Sequence, residues 1–495
     1  MANPILVIYG QSLRLSHCHI ETHSVNGVSF AGNRATQPVG NWEIDHNYFF
    51  NNINDLILQG MDDMYAPWNG GVIDTVKIHD NEFAGRDNNL SNSSGSHPDG
   101  IQFEARADAY TFTNVQMYNN WFHGNWYLGN TSTMWISGID GGKVYNNVFT
   151  FDNTTAESDP GFNSNAHLYM AGAKNIEVYN NTSSSDAEAT GGRGIQMNFQ
   201  IAGGHHLKSK GNIFSKANFC LGLVNDRWTA NTDYPLLNEY DRTYVYPSNV
   251  VAPYPAGWNG YIYELTGTAL SDSDFKSGSS EPAWNPDATG PIRDNNLGWR
   301  PWYPGTAPVW QPNHVYNYYD KVCPTSGCAG NVVYYMWKKY VRSGSSQPQW
   351  PTSDGSVIND NQAVWAARTV FTENDYNFYQ PRSGGHVIAV NTSLWTSDLA
   401  AWQASPYNMD PHSTQGDPKF VKLPTGITDP GNWQLQNNSS AKDAFPTAQA
   451  PTGIFTSDIL GTARPQGPAW DMGGYEYVQG GDTTPPAGPT GLRVN

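Results

Sequence analysis

Short apolar runs that alternate with period two recur through the first half of the chain. They align as Val28-Ser29-Phe30-Ala31, Leu56-Ile57-Leu58-Gln59, Ile101-Gln102-Phe103-Glu104, Met134-Trp135-Ile136-Ser137, Leu168-Tyr169-Met170-Ala171, Ile195-Gln196-Met197-Asn198 and Phe219-Cys220-Leu221-Gly222. Period two predicts strands whose first and third residues point into a core and whose second and fourth point out. A second, more polar motif falls between these runs: Asp45-His46-Asn47-Tyr48-Phe49, His79-Asp80-Asn81-Glu82-Phe83, Tyr118-Asn119-Asn120-Trp121-Phe122, Tyr145-Asn146-Asn147-Val148-Phe149, Tyr179-Asn180-Asn181-Thr182-Ser183 and Lys210-Gly211-Asn212-Ile213-Phe214.

The Asn of that motif stands at 47, 81, 120, 147, 181 and 212, a spacing that varies with what lies between. A repeat of variable length with a constant turn is expected of successive coils of a parallel β-helix with loops of different sizes. Asn at one turn of every coil can donate to and accept from the next, which satisfies amides that the coil would otherwise bury unpaired. The Phe two residues later is expected to stack in the bore.

The pattern lapses after Asn212 and is read again at Gly385-His386-Val387-Ile388-Ala389-Val390-Asn391. The stretch between carries its own duplication. Ser277-Gly278-Ser279-Ser280-Glu281-Pro282-Ala283-Trp284 matches Ser343-Gly344-Ser345-Ser346-Gln347-Pro348-Gln349-Trp350, with Trp299 and Trp365 at equivalent later positions. The organisation predicted is therefore all-β: a parallel β-helix over 1–225, an inserted, duplicated Trp-rich β subdomain over 226–382, last coils and a cap over 383–480, and a linker with the start of a further domain over 481–495. Met1-Ala2-Asn3-Pro4-Ile5 lacks a basic signal-peptide region and reads as though it began within a domain. The chain is thus expected to be linked covalently to neighbouring domains in a longer, exported protein, secreted or at the cell surface.

Composition narrows the partner. The chain has 27 Lys+Arg against 44 Asp+Glu, a net charge of −17, yet only 14% of its residues are charged. An acidic chain with scattered cations gains little from phosphate counterion release or from anionic membranes, so neither nucleic acid nor membrane is expected as a partner. Gly (49), Trp (18), Tyr (28) and abundant Asn and Ser suit a neutral, hydroxyl-rich partner instead. Of the four cysteines, Cys323 and Cys328 are close enough for a loop disulfide, while Cys18 and Cys220 stand apart.

Three resemblances sharpen these expectations. The Asn turns, with Gly416-Asp417-Pro418-Lys419-Phe420-Val421 and Arg464-Pro465 through Asp471-Met472-Gly473-Gly474-Tyr475-Glu476-Tyr477, resemble exported bacterial right-handed β-helix proteins of the pectate-lyase-like superfamily. That resemblance implies the fold, and a function among polysaccharide lyases, glycoside hydrolases, epimerases, tailspikes and β-helical xylan-binding modules. Trp310, Tyr316, Asp320 and Val322 are similar to the opening of small chitin- and cellulose-binding modules. Thr483-Thr484-Pro485-Pro486 through Leu492-Arg493-Val494 resembles the opening of a fibronectin type III domain.

The second strand position yields a candidate site. Read down the stack, it places Trp135 beside Tyr169 as adjacent exposed rings, flanked by Gln102 and Gln196, with Glu104, Asn198 and His167 nearby. Rings for the apolar faces of a pyranose and amides and a carboxylate for its hydroxyls suit a weakly charged β-glycan of xylan type. The expected function is non-catalytic binding of a plant cell-wall polysaccharide, with no cofactor. The alternative is a lyase or hydrolase. Hydrolysis needs two carboxyls, for which Glu104, Asp140 and Asp62 are the candidates. Lyase action needs a base and often Ca²⁺, for which Arg106, Arg193, Lys174, Asp62, Asp63 and Asp99 are at hand, with Asp62 and Asp63 the metal candidates. His97-Pro98-Asp99-Gly100 reads as a turn, and Asp410-Pro411-His412-Ser413 is similar to an epimerase tetrapeptide.

Overall fold

The computed structural model describes residues 6–9, 11–21, 27–31, 39–52, 55–59, 61–63, 66–67, 72–85, 99–104, 112–125, 132–151, 166–171, 173–185, 197–202, 204–223, 237–239, 245–246, 250–252, 261–268, 276–284, 292–302, 308–315, 321–326, 333–339, 341–342, 349, 351, 353–390, 394–404, 409–423, 431–451 and 453–480. Three long sheets of ten, eight and nine strands, here called A, B and C, each take successive strands from successive coils. Pairing between coils is parallel in all three, from Leu6↔Val28 in A, Arg14↔Glu43 in B and His19↔Tyr48 in C onward. This is a parallel β-helix.

The turn from sheet B to sheet C explains why the coils stack in register. Asn47 donates through its backbone N and Nδ2 to Asn81 Oδ1, at 3.0 and 2.9 Å. Its Nδ2 also reaches back to Leu15 O in the preceding coil, at 2.9 Å. The same three bonds recur at Asn81, Asn120, Asn147, Asn181 and Asn212, so both amide N–H groups and the amide oxygen are used at each rung. The residue before each rung is left-handed, with His17, His46, Asp80, Asn119, Asn146 and Asn180 at φ between 48° and 56°. Asn, Asp and His tolerate that region best among side-chain-bearing residues. Below the ladder, Phe49, Phe83, Phe122 and Phe149 stack at centroid spacings of 4.8, 4.6 and 4.8 Å.

The ladder runs past the predicted break. Its next rung is Asn377, whose Oδ1 accepts from Asn212 N and Nδ2 at 3.1 and 2.9 Å. Strands Phe371–Asp375 and Phe378–Gln380 extend sheets B and C directly. The chain accordingly divides into one unit of 1–226 with 370–495 and a second of 227–369. The rung was hidden because Asp375-Tyr376-Asn377-Phe378 follows the Trp-rich segment without a gap. Ser413 ends the ladder, accepting from Asn377 N at 2.8 Å. The tetrapeptide Asp410–Ser413 is thus a ladder terminus: Asp410 is fully buried and accepts from Ser413 Oγ, Trp402 Nε1 and Asn374 Nδ2.

The second unit forms mainly antiparallel sheets around the duplicated tryptophans. Trp299 and Trp365 are fully buried and Trp310 nearly so. Asp294 Oδ2 accepts both the Trp299 and Trp310 indoles, at 2.9 and 2.8 Å, and its Oδ1 accepts Gly278 N at 2.5 Å. These rings are core. Cys323 is disulfide-bonded, while Cys18 and Cys220 are free thiols.

Two outcomes test this account. Asn147→Ala orphans Asn120 and Asn181 groups inside the coil, so chemical denaturation should show a loss of about 3 kcal/mol, at about 1–3 per orphaned group; a loss below about 0.5 kcal/mol, typical of surface changes, would refute the ladder's role. Burial holds the Asp410 carboxyl up at about 7. Between its unfolded value and 7 the folded chain keeps a proton that the unfolded chain has released, so this group makes stability fall as pH rises. Asp410→Asn sets an amide donor against three donors and lowers the melting temperature at pH 5. That deficit should narrow by pH 8, and a gap that stays constant from pH 5 to pH 8 would show that Asp410 is already ionised when folded.

Candidate functional site

Sheet A brings Trp135 and Tyr169 together as expected, paired in register with ring centroids 4.4 Å apart. Their exposure is corrected: Trp135 is 5% and Tyr169 1% accessible. Ser29, Ile57 and Gln200 in the same column are buried too, and among its described side chains only Gln102 is partly open. The column is therefore a packed layer. Phe199, rather than Ile195, pairs with Leu168, so Gln200 follows Tyr169 in the place expected for Gln196. A slip of four residues keeps the alternation intact, which is why the pattern did not exclude it. Gln196 lies outside the described residues.

His167 and Asn198 turn inward. Ser183 replaces the stacked Phe in its coil, and the space is filled by the His167 ring, 5.9 Å from Phe149, with Nδ1 2.6 Å from Ser183 Oγ. Asn198 Nδ2 donates to Ser183 O and Ser215 O. Burial pushes the His167 imidazole down to about 3, so it is neutral. Both residues repair the bore.

The predicted acids stand on different sheets. Glu104 belongs to sheet A and Asp140 to sheet B, and Asp62 lies in a separate two-stranded ribbon. The side chains of Glu104, Asp62 and Asp63 lie outside the described residues, as do Arg106 and Arg193. Asp140 is occupied by Lys174 Nζ at 3.2 Å and Asn175 Nδ2 at 2.6 Å. Asp99 is buried and accepts Ser132 N and Oγ. Sheet B's outer column pairs Arg14, Glu43, Lys77, Gln116, Lys143, Glu177, Lys208 and Glu373 in sequence. The charges alternate in sign except at Gln116, which stands between Lys77 and Lys143, and Arg14 with Glu43 and Lys208 with Glu177 form ion pairs along it.

Sheet C differs along its length. Its outward column runs His19, Tyr48, Glu82, Trp121, Val148, Thr182, Ile213 and Phe378. From Trp121 onward it is covered by the C-terminal segment, whose Phe420, Trp433, Leu435, Phe445, Trp470 and Met472 form one apolar cluster with it. Gly473 N to Gly211 O at 2.6 Å and Gly474 N to Thr182 Oγ1 at 2.9 Å hold that strap down. A Cβ on Gly473 would lie 2.6 Å from Thr182 Oγ1, and its φ is +87°, so the close approach requires glycine.

The first coils of sheet C escape this cover. His19 stands edge-on to Tyr48 at 4.8 Å, Phe50 follows at 6.2 Å from Tyr48, and His123 stacks on Trp121 at 4.0 Å. Carboxylates lie among these rings: Glu21 3.1 Å from His19 Nε2, and Glu82 2.8 Å from His123 Nε2. Side-chain exposure falls from 34% at His19 to 15% at His123, so the strip grades from open to half-buried. Burial, reinforced by Glu82, Glu21 and Asp55, raises the Tyr48 hydroxyl to about 12, so it stays a donor. Among the described residues of these two outward columns there is no Lys or Arg. Tyr48 and Glu82 each precede a bore Phe and so stand on the opposite side of the strand, but nothing in the sequence said which coils the strap would leave open. No protein-family profile matches the chain, and no curated protein or solved structure matches it either.

Proposed function

We propose that the chain binds a neutral or weakly charged polysaccharide, of plant cell-wall xylan type, as a non-catalytic module of an exported multidomain protein. The binding surface is the uncovered end of sheet C rather than the Trp135–Tyr169 column. The observation that carries this reading is a strip of partly open rings, His19, Tyr48, Phe50 and His123, with the carboxylates Glu21 and Glu82 set among them. Rings pack on the C–H faces of a sugar, and Glu21, Glu82 and the Tyr48 hydroxyl meet its hydroxyl groups. The absence of cations among the described residues of the strip fits an uncharged ligand. A catalytic alternative, hydrolysis or elimination on the same polymer class, draws on the crowding of Glu21 and Glu82 about the Tyr48 hydroxyl.

Depletion on insoluble xylan separates these readings. Tyr48→Ala with Phe50→Ala should weaken retention about thirtyfold, the effect of losing a 2 kcal/mol hot spot. Unchanged retention would overturn the assignment. Trp135→Ala should instead cost about 3–5 kcal/mol of stability, as for a core aromatic. New reducing ends or unsaturated products in the supernatant, lost in Glu82→Gln, would favour the catalytic alternative.

A further inference from the structure

In the left-handed corner ahead of the ladder positions, imidazole stands in the first two coils; His412, which precedes Ser413 at the ladder's other end, lies 2.6 Å from Asp375 through its Nδ1. His17 and His46 occupy the corner at φ 56° and 54°, and Asp80, Asn119, Asn146, Asn180, Gly211 and Tyr376 occupy it in the later coils. The two rings lie 5.0 Å apart at an angle of 31°. Asp45 sits beneath them, its side chain fully buried, with Oδ2 2.8 Å from His46 Nδ1 and also accepting Ser16 Oγ at 2.8 Å. That contact commits Nδ1 and leaves Nε2 as the remaining ring nitrogen for a ligand, on a side chain 42% exposed. His17 is exposed beside it, and one ligand atom each from His17, Asp45 and His46 lies within 4.8 Å of the other two.

We propose that His17 and His46 bind a divalent transition-metal ion of the zinc, nickel or copper class at this corner, with Asp45 as the positioning residue and water completing the coordination. Imidazole donors suit these metals, whereas calcium and magnesium take oxygen ligands. A carboxylate on the far nitrogen is how metal-bound imidazoles are generally oriented, and Asp45 stands in that place for His46. Metal–nitrogen bonds of about 2.0–2.1 Å require the donors to come closer than they stand; the exposed His17 side chain closes that distance by rotation. The neighbouring set Glu43, Asp45 and His79 is spent internally, since His79 Nε2 lies 3.2 Å from Glu43 and its Nδ1 2.7 Å from Asp80. Arg14 opposes the metal: its Nε and Nη2 each lie 2.8 Å from an Asp45 oxygen, and those bonds hold the carboxyl well below its ordinary range against the effect of burial.

Isothermal titration of the untagged chain with zinc chloride tests this, beside thermal melts with and without zinc. His17→Asn and His46→Asn are the informative variants, because Asn fills the same corner in three later coils and keeps the left-handed turn. Each should weaken zinc binding at least about tenfold, roughly 1.4 kcal/mol, and remove the zinc-dependent rise in melting temperature while leaving the zinc-free melt unchanged. Arg14→Ala removes the competing cation and should tighten binding several-fold. His123→Gln, two coils beyond His46, should leave zinc binding unchanged. No heat or melting shift with zinc in the parent chain, or equal binding in His17→Asn and His46→Asn, would overturn the proposal. Retention on xylan is read separately, so neither result decides the other.

Discussion

One buried amide per coil sets the terms for everything built around it. A β-helix corner buries a polar side chain at every turn, and each must find partners inside the stack. Asn meets that need with two donors and an oxygen that accepts twice. Its Nδ2 reaches back to the preceding strand and forward to the next rung, so the ladder ties three coils at each step. An aspartate would lack the donors, and a glutamine would carry the amide one methylene too far. With the corner fixed, the Phe residues two positions on fall over one another, and the strands leaving the corner keep register over insertions of any length. The separation of 165 residues from Asn212 to Asn377 is accommodated on this basis.

The C-terminal strap makes the second decision, by covering outward residues that the coils themselves leave bare. Its hold is partly apolar and partly ionic. Arg464 and Glu476 pair at 3.0 Å with side chains 0% and 1% exposed, and Arg464 also donates to Asp471 O and Gly473 O. A buried guanidinium so thoroughly bonded gives geometric specificity, since loss of one partner leaves an uncompensated charge. The strap lies over the later coils of sheet C and leaves His19, Tyr48, Phe50, Glu82 and His123 partly open. The imidazole corner of His17 and His46 belongs to the same uncovered end.

Much of the fold was legible from the chain alone. The Asn turn, the Phe stack and the strand alternation from Val28 to Met170 all follow from local pattern, because each is a residue type repeated in one environment. Where the repeat failed, the reading failed with it. Ser183 in place of Phe turned His167 and Asn198 inward, and the two-residue period could not tell Ile195 from Phe199 as the partner of Leu168.

The sequence by itself determined the coil: its corner, its stacked core and the parity of each strand, all set by contacts between equivalent residues one turn apart. Only the tertiary structure decided which outward residues meet solvent. Trp135 and Tyr169 carry the same pattern as an exposed pair and are buried, while Tyr48 and Glu82 carry it and are partly open. The reason is physical: accessibility depends on chain packed from far away in sequence, such as the strap on sheet C, and period-two alternation records only the side of the strand on which a residue stands.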